Sequence, residues 1–187
     1  RLSRLGSASF TTVIGAIIQL LIGPWVQTSV YDIQNIDFRF TAVLTNTACT
    51  GAYRGAGRPE AIYNIERLMD EAARQTGIDR TELRRRNFIR PEQMPYTNPM
   101  QQTYDVGSFE TIMDQALQRA NWGTFAAREQ ASKQRGRWRG LGIATFLEWT
   151  GANALEEAVS VRILPDAEGT IEVHSAIMGM GQGIVTS

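Results

Sequence analysis

Ala52, Tyr53, Arg54, Gly55, Ala56, Gly57 and Arg58 place two spaced glycines between two arginines, directly ahead of Pro59, Glu60 and a long amphipathic stretch. Glycine removes the side chain where a bulky polar ligand must approach the main chain, and the first turn of a following helix supplies N–H donors. Arg54 and Arg58 add fixed positive charge. The chemistry this points to is the cradling of a phosphate or oxo-anion. A second cluster, Gly179, Met180, Gly181, Gln182 and Gly183, lies near the end of the chain and offers a carboxamide with both donors and acceptors. Glycine turns ahead of helices are common, so the first loop alone also fits an ordinary turn with two solvated arginines.

The elements that must position these loops are legible as patterns. Residues 33–44 carry Ile33, Ile36, Phe38, Phe40, Ala42 and Leu44, an alternation that predicts a strand leading into the arginine loop. After Pro59, apolar Ile62, Ile65, Met69 and Ala72 recur at steps of three and four, which predicts a helix with one buried face ending near Gly77. Asp79 then offers a cap oxygen and Glu82 the reciprocal acid, starting a short helix to Asn87. The polar, proline-containing residues 91–107 read as an extended surface connection.

Ser108 caps a further helix striped by Phe109, Ile112, Met113, Ala116, Leu117 and Ala120, and residues 122–136 form another. Lys133, Arg135, Arg137 and Arg139 around Gly136 fit a solvated helix end favoured by the macrodipole better than a phosphate site. Residues 140–149, 158–164 and 170–177 read as strands, with residues 165–169 as the turn of an antiparallel hairpin. The fold class expected is α+β, divided into residues 1–139 and 140–187. His174, the one histidine, has no partner at ligand spacing and reads as structural or exposed. Glu148, Glu156 and Glu157 are acids by type alone, and nothing in the sequence places them beside Arg54.

With 187 residues, 43% hydrophobic, 20% charged and formally neutral, the chain can bury a substantial core and gives no electrostatic reason to bind nucleic acid or an acidic membrane. The apolar run at residues 13–23 falls short of the roughly twenty residues that cross a bilayer, so it reads as a buried core helix. The single cysteine, Cys49, excludes an internal disulfide framework and cannot assemble an iron–sulfur cluster, which takes about four ligands. A cytoplasmic setting is expected, with Cys49 as a small buried thiol.

Taken together, Thr45 to Asn87 with its Ala52–Arg58 loop, Pro59 and Glu60, and the later Met180, Gly181, Gln182 and Gly183, resemble the molybdenum-binding large subunit of molybdenum hydroxylases. That is the group of xanthine dehydrogenase, aldehyde oxidase and aerobic carbon monoxide dehydrogenase. The resemblance runs from about Tyr31 to Ser187, looser before it, and both ends of the chain look cut, as in an internal fragment. It implies a molybdopterin cofactor, in bacterial relatives commonly the cytosine dinucleotide form, with no direct protein ligand to the metal. Arg54 would stabilise negative charge, the amides of Gly55, Ala56 and Gly57 would border the metal face, and Met180, Gly181 and Gln182 would bracket the pterin.

The resemblance further implies hydroxylation at carbon with the oxygen of water, the base being a glutamate in a motif far downstream of these residues. Iron–sulfur clusters and FAD would sit on partner domains or subunits, in a dimer of heterotrimers acting on a small-molecule substrate. In true carbon monoxide dehydrogenases the loop carries a copper-binding cysteine at the position of Gly55, and in xanthine dehydrogenase-like members a pocket phenylalanine stands at the position of Ala56. The loop therefore looks like the copper-free, carbon monoxide dehydrogenase-like branch, whose substrates are largely aldehydes or aromatic heterocycles. Carbon monoxide oxidation, disfavoured by Gly55, and a non-catalytic scaffold or phosphate-binding domain stand as alternatives.

Overall fold

A computed structural model of the chain describes residues 21–41, 46, 53–148, 156, 158–165, 168–177, 179–184 and 186. The chain forms two compact units, Arg1–Glu148 and Trp149–Ser187. The helix expected over residues 13–23 lies mostly outside the described residues, as do Leu44, Cys49, Ala52, Glu157 and part of the hairpin turn at 165–169. Among the described residues no helix is long and apolar enough to cross a membrane.

In the first unit a single helical turn, α1 (Gly23–Trp25), precedes the buried strip Val26, Thr28, Ser29, Val30 and Tyr31. Helix α2 (Arg58–Thr76) follows the arginine loop and α3 (Arg80–Asn87) packs beside it. The expected helix after Pro59 is thus present, and Gly77 stops it in the left-handed conformation at φ 70°. Ala61, Ile65, Met69 and Ala73 recur every fourth residue and are its buried stripe. The Asp79 carboxylate caps α3, accepting from Thr81 N at 2.8 Å and Glu82 N at 3.2 Å. The Thr81 hydroxyl bond and these two amides hold that carboxyl below its ordinary range. Glu82 does not return the cap: its carboxylate binds Arg85 and Arg86 on the same helix, because a guanidinium competes better for it than a backbone amide.

Tyr31 and Phe88 form an antiparallel bridge with stacked rings, 5.6 Å between centroids and 4° between planes. Around this pair gather Val30, Ile65, Met69 and Met113, with Ile33, Leu83, Phe109, Leu117, Ile143 and Leu147 against them. Helix α4 (Phe109–Arg119) buries Met113 and leaves Ile112 exposed, so only part of the expected stripe faces inward. Ser108 occupies the cap position but bonds the Thr111 hydroxyl instead of a backbone amide. Helix α5 (Phe125–Lys133) ends near Gly136, and its basic residues act as the solvated end expected: Lys133 pairs with Glu129, and Arg135 donates to the Ala131 carbonyl.

Three expectations are corrected. Residues 33–41 form no strand, and among the described residues no strand pairs with them to complete a ladder. Residues 91–107 are not a mere surface connection: β1 (Tyr96–Thr97) and β2 (Thr103–Tyr104) pair antiparallel and bury Tyr96 and Tyr104 with Ile89 in a second cluster. Asn98, 1% exposed, closes that hairpin. It accepts from Met100 N and Gln102 N at 2.9 Å each and donates to Trp25 O at 2.7 Å and Tyr104 Oη at 3.0 Å.

The third correction concerns residues 140–148, which are extended yet belong to no sheet. Leu141, Ile143, Thr145 and Leu147 turn inward while Gly142, Ala144, Phe146 and Glu148 turn outward, so the two-residue period is real. The segment lies as a rail on the first unit's core, with Ile143 and Leu147 packed on the apolar cluster and Arg80 donating to Leu141 O at 3.3 Å. The compact first unit runs to Glu148.

In the second unit β3 (Val159–Ile163) and β4 (Ile171–Ser175) form the expected antiparallel hairpin, with Val161 opposite Val173. Val159, Val161, Ile163, Ile171 and Val173 share one exposed face; Arg162, Glu172 and His174 share the other. His174 is exposed, its Nε2 at 3.1 Å from Glu172 Oε2. Helices with short antiparallel strands make the fold α+β, as the sequence predicts.

Candidate functional site in the arginine loop and the terminal glycine cluster

Gly55, Ala56 and Gly57 are three successive residues in the left-handed region, at φ 94°, 38° and 88°. Two of the three are glycine because that region costs an L side chain roughly 1 kcal/mol or more. At Gly55 the requirement is also spatial. A Cβ there would meet Pro59 Cγ and Cδ at 2.6 and 2.7 Å. The turn is closed by Ala56 N donating to Tyr53 O at 2.8 Å and Arg58 N to Gly55 O at 3.0 Å, and α2 begins with Ala61 N on Gly57 O at 3.1 Å. Gly55 and Ala56 are half-buried and Gly57 is buried, so the turn is set into the surface with Tyr53 and Arg54 exposed at its leading edge.

Arg58 plays a different part from the one its sequence position suggests. Its side chain is only 17% exposed and folds back, Nε donating to Gly55 O at 2.8 Å. Glu148 Oε1 stands 2.8 Å from the same nitrogen. The charge of Arg58 is therefore turned into the loop, and a glutamate that the sequence could not place beside the loop is joined to it. The extended rail delivers that glutamate, on the outward side of the alternation that turns Leu147 onto the core.

Behind the loop lies a buried ionic network that sequence reasoning missed. Arg84, fully buried, donates to Glu66 Oε2 from Nε at 3.0 Å and Nη2 at 2.8 Å, and to Arg80 O from Nη1 at 3.0 Å. The hydroxyl of Tyr31 donates to Glu66 Oε1 at 2.5 Å and lies 2.7 Å from Thr145 Oγ1, which itself donates to Glu66 Oε1 at 3.0 Å. Burial, then the Glu66 charge and the bond to it, push the Tyr31 phenol well above its ordinary range. Burial is the largest single influence on Arg84 and opposes its charge, but the Glu66 and Tyr31 charges and the bonds to Glu66 and Asp70 together outweigh it, and the guanidinium is held more firmly protonated. The available signal was Glu66 itself, a charged residue inside the apolar stripe of α2. The network clamps α2, and with it the arginine loop at its start, to α3, Tyr31 and the rail.

In the second unit Gly181 and Gly183 are left-handed at φ 86° and 83°. The Gln182 side-chain oxygen accepts from Met180 N at 2.5 Å, and Thr186 N and Oγ1 both donate to Gly183 O at 2.9 Å. The carboxamide thus folds its own loop, with its oxygen turned to the main chain and Met180 exposed. Each glycine loop is a turn built by left-handed residues and secured by a side chain, Arg58 in one and Gln182 in the other.

Comparison with known proteins is consistent over both loops. Residues 10–88 and residues 115–187 each match a family model described as a molybdopterin cofactor-binding domain. The chain is 30% identical over 171 residues to the nicotine 6-hydroxylase large subunit of Paenarthrobacter nicotinovorans, an alignment covering 86% of this chain and 20% of that protein. It is 31% identical over 166 residues to the carbon monoxide dehydrogenase large chain of Hydrogenophaga pseudoflava, covering 81% and 21%. Among solved structures, quinoline 2-oxidoreductase from Pseudomonas putida 86 superposes with a TM-score of 0.69 at 31% identity, over 89% of this chain and 22% of that one. The chain spans about a fifth of the length of these relatives. Its two matched regions and their shared fold place it in the molybdenum hydroxylase family, within the molybdopterin-binding region of the large subunit.

Proposed function

We propose that the full-length subunit is a molybdenum-dependent hydroxylase of an N-heteroaromatic or aldehyde carbon, in which this segment holds the molybdopterin cofactor. The observation that carries the reading is the run of left-handed residues Gly55, Ala56 and Gly57, which builds a side-chain-poor, partly buried turn with the exposed Arg54 beside it. Each loop by itself has donors that fit an oxygen-rich anionic ligand: the Arg54 guanidinium beside the turn at residues 55–57 in one, and the Gln182 carboxamide N–H groups in the other.

In this reading Arg54 holds negative charge, Gly55, Ala56 and Gly57 admit the cofactor against bare backbone, and Met180, Gly181 and Gln182 grip its pterin. The bound cofactor supplies the oxidation of the substrate carbon with oxygen from water. The general-base glutamate belongs to another part of the subunit. Ala56 leaves the pocket roomier and less aromatic than a phenylalanine at that position, which suits a bicyclic or branched substrate. Nicotine and quinoline, the substrates named for two relatives, are both N-heteroaromatics. Carbon monoxide, named for another relative, is disfavoured because Gly55 offers no thiolate for copper.

A cytosine dinucleotide tail, iron–sulfur and flavin partners, a dimer of heterotrimers and a cytoplasmic setting complete the proposal by analogy with the family. The test is turnover of the purified complete enzyme on a panel of N-heteroaromatics, aldehydes and carbon monoxide in ¹⁸O-labelled water. Labelled oxygen in a hydroxylated heterocycle or carboxylate supports the reading. Oxidation of carbon monoxide alone would overturn it.

A further inference from the structure

We propose that Glu148 is a positioning residue for the arginine loop, acting through Arg58 to fix the Gly55 carbonyl and so the left-handed run that follows; this rests on the cofactor-holding reading of that loop. The geometry is a relay of three groups. Glu148 Oε1 lies 2.8 Å from Arg58 Nε, and the same nitrogen donates to Gly55 O at 2.8 Å. A guanidinium 17% exposed needs a carboxylate to hold its direction, and one placed on a rigid element holds it best.

The rail supplies that rigidity. Leu147, next to Glu148, packs against both apolar clusters, and Thr145 bonds Tyr31 and Glu66 in the buried network. Ser29 Oγ donates to Thr145 O at 3.5 Å. Glu148 is thus carried by a strip anchored at two neighbouring positions. Its outward direction follows from the two-residue period of that strip. Without the carboxylate, Arg58 loses a counter-charge that holds it over the turn, and the Gly55 peptide is freer to rotate out of a conformation that only a few residue types tolerate.

The role is one of holding shape, so its signature is local order in the loop and retention of the ligand, separable from overall stability. In the full-length enzyme, Glu148→Ala is expected to raise amide hydrogen exchange over residues 53–61 about tenfold while exchange in α4 and the melting temperature stay as in wild type. Bound molybdenum should fall by about half or more in the same preparation. Glu148→Gln, which keeps an acceptor but no charge, should give intermediate values. Unchanged exchange over residues 53–61 in both variants overturns the proposal, as does an increase spread evenly over the whole first unit. If wild-type enzyme carries no molybdenum, the cofactor reading fails, and the exchange comparison still decides the role of Glu148.

Discussion

Arg84→Met is the substitution with the largest consequence worked from the structure. Arg84 is fully buried and Glu66 is 7% exposed at the side chain, so the variant removes the cation and leaves its carboxylate enclosed. Two charge-assisted bonds to Oε2 vanish, while Tyr31 and Thr145 still donate to Oε1. Breaking one partner of such a pair costs about 3–5 kcal/mol, because the survivor has left water without compensation. Read by hydrogen exchange under conditions where α2 and α3 open together, that loss accelerates their amides by roughly two to three and a half powers of ten. Adding Glu66→Gln should recover a good part of the loss, since the neutral amide removes the uncompensated charge, and the cycle of four proteins isolates the coupling. If Arg84→Met lies within about 1 kcal/mol of wild type, the network does not clamp α2 and the reasoning is refuted.

Two further outcomes follow from the same geometry. Because the folded state holds the Tyr31 phenol above its ordinary value, the unfolded chain gives up that proton first as pH rises; stability is fully present below about pH 10 and declines above it. Tyr31→Phe should make that alkaline decline shallower in denaturant titrations at pH 9 to 11, and an unchanged slope contradicts the assignment. Gly55→Ala brings a methyl group to 2.6 Å from Pro59 Cγ at a φ of 94°. It should destabilise the loop by about 1–3 kcal/mol and lower bound molybdenum, measured by metal analysis; full metal content with native exchange over residues 53–61 counts against the strained turn.

The sequence was most informative where one residue sufficed to set local geometry. Gly77 ended α2, Asp79 started α3, and the alternation in residues 158–164 and 170–177 made the β3–β4 hairpin. It misled where alternation was read as a sheet. Residues 33–41 and 140–148 carry the period of a strand, but a ladder needs a partner, and whether one arrives is a tertiary fact. The segment at 91–107 hid its core because Tyr96, Asn98 and Tyr104 are amphipathic, and only the bonds of Asn98 explain their burial.

In the site, the positive-φ turn at Gly55 and Gly57 was legible from composition. The pairing of Arg58 with Glu148 was not, since it joins residues ninety apart in the chain through a rail with no sequence signature. Glu66 was the one advertised anomaly, an acid on an apolar face, and Arg84 answers it from a helix whose neighbouring arginines are surface pairs.

We propose that the loop around Arg54 and the loop around Gln182 are each needed to retain molybdopterin. Molybdenum and pterin per polypeptide, measured in purified full-length wild type and in the Arg54→Ala/Gln182→Ala double variant, test it most directly. Wild type is expected to carry near-stoichiometric metal and pterin, and a double variant that remains folded is expected to lose both in parallel. A double variant that keeps its full complement of both would contradict it.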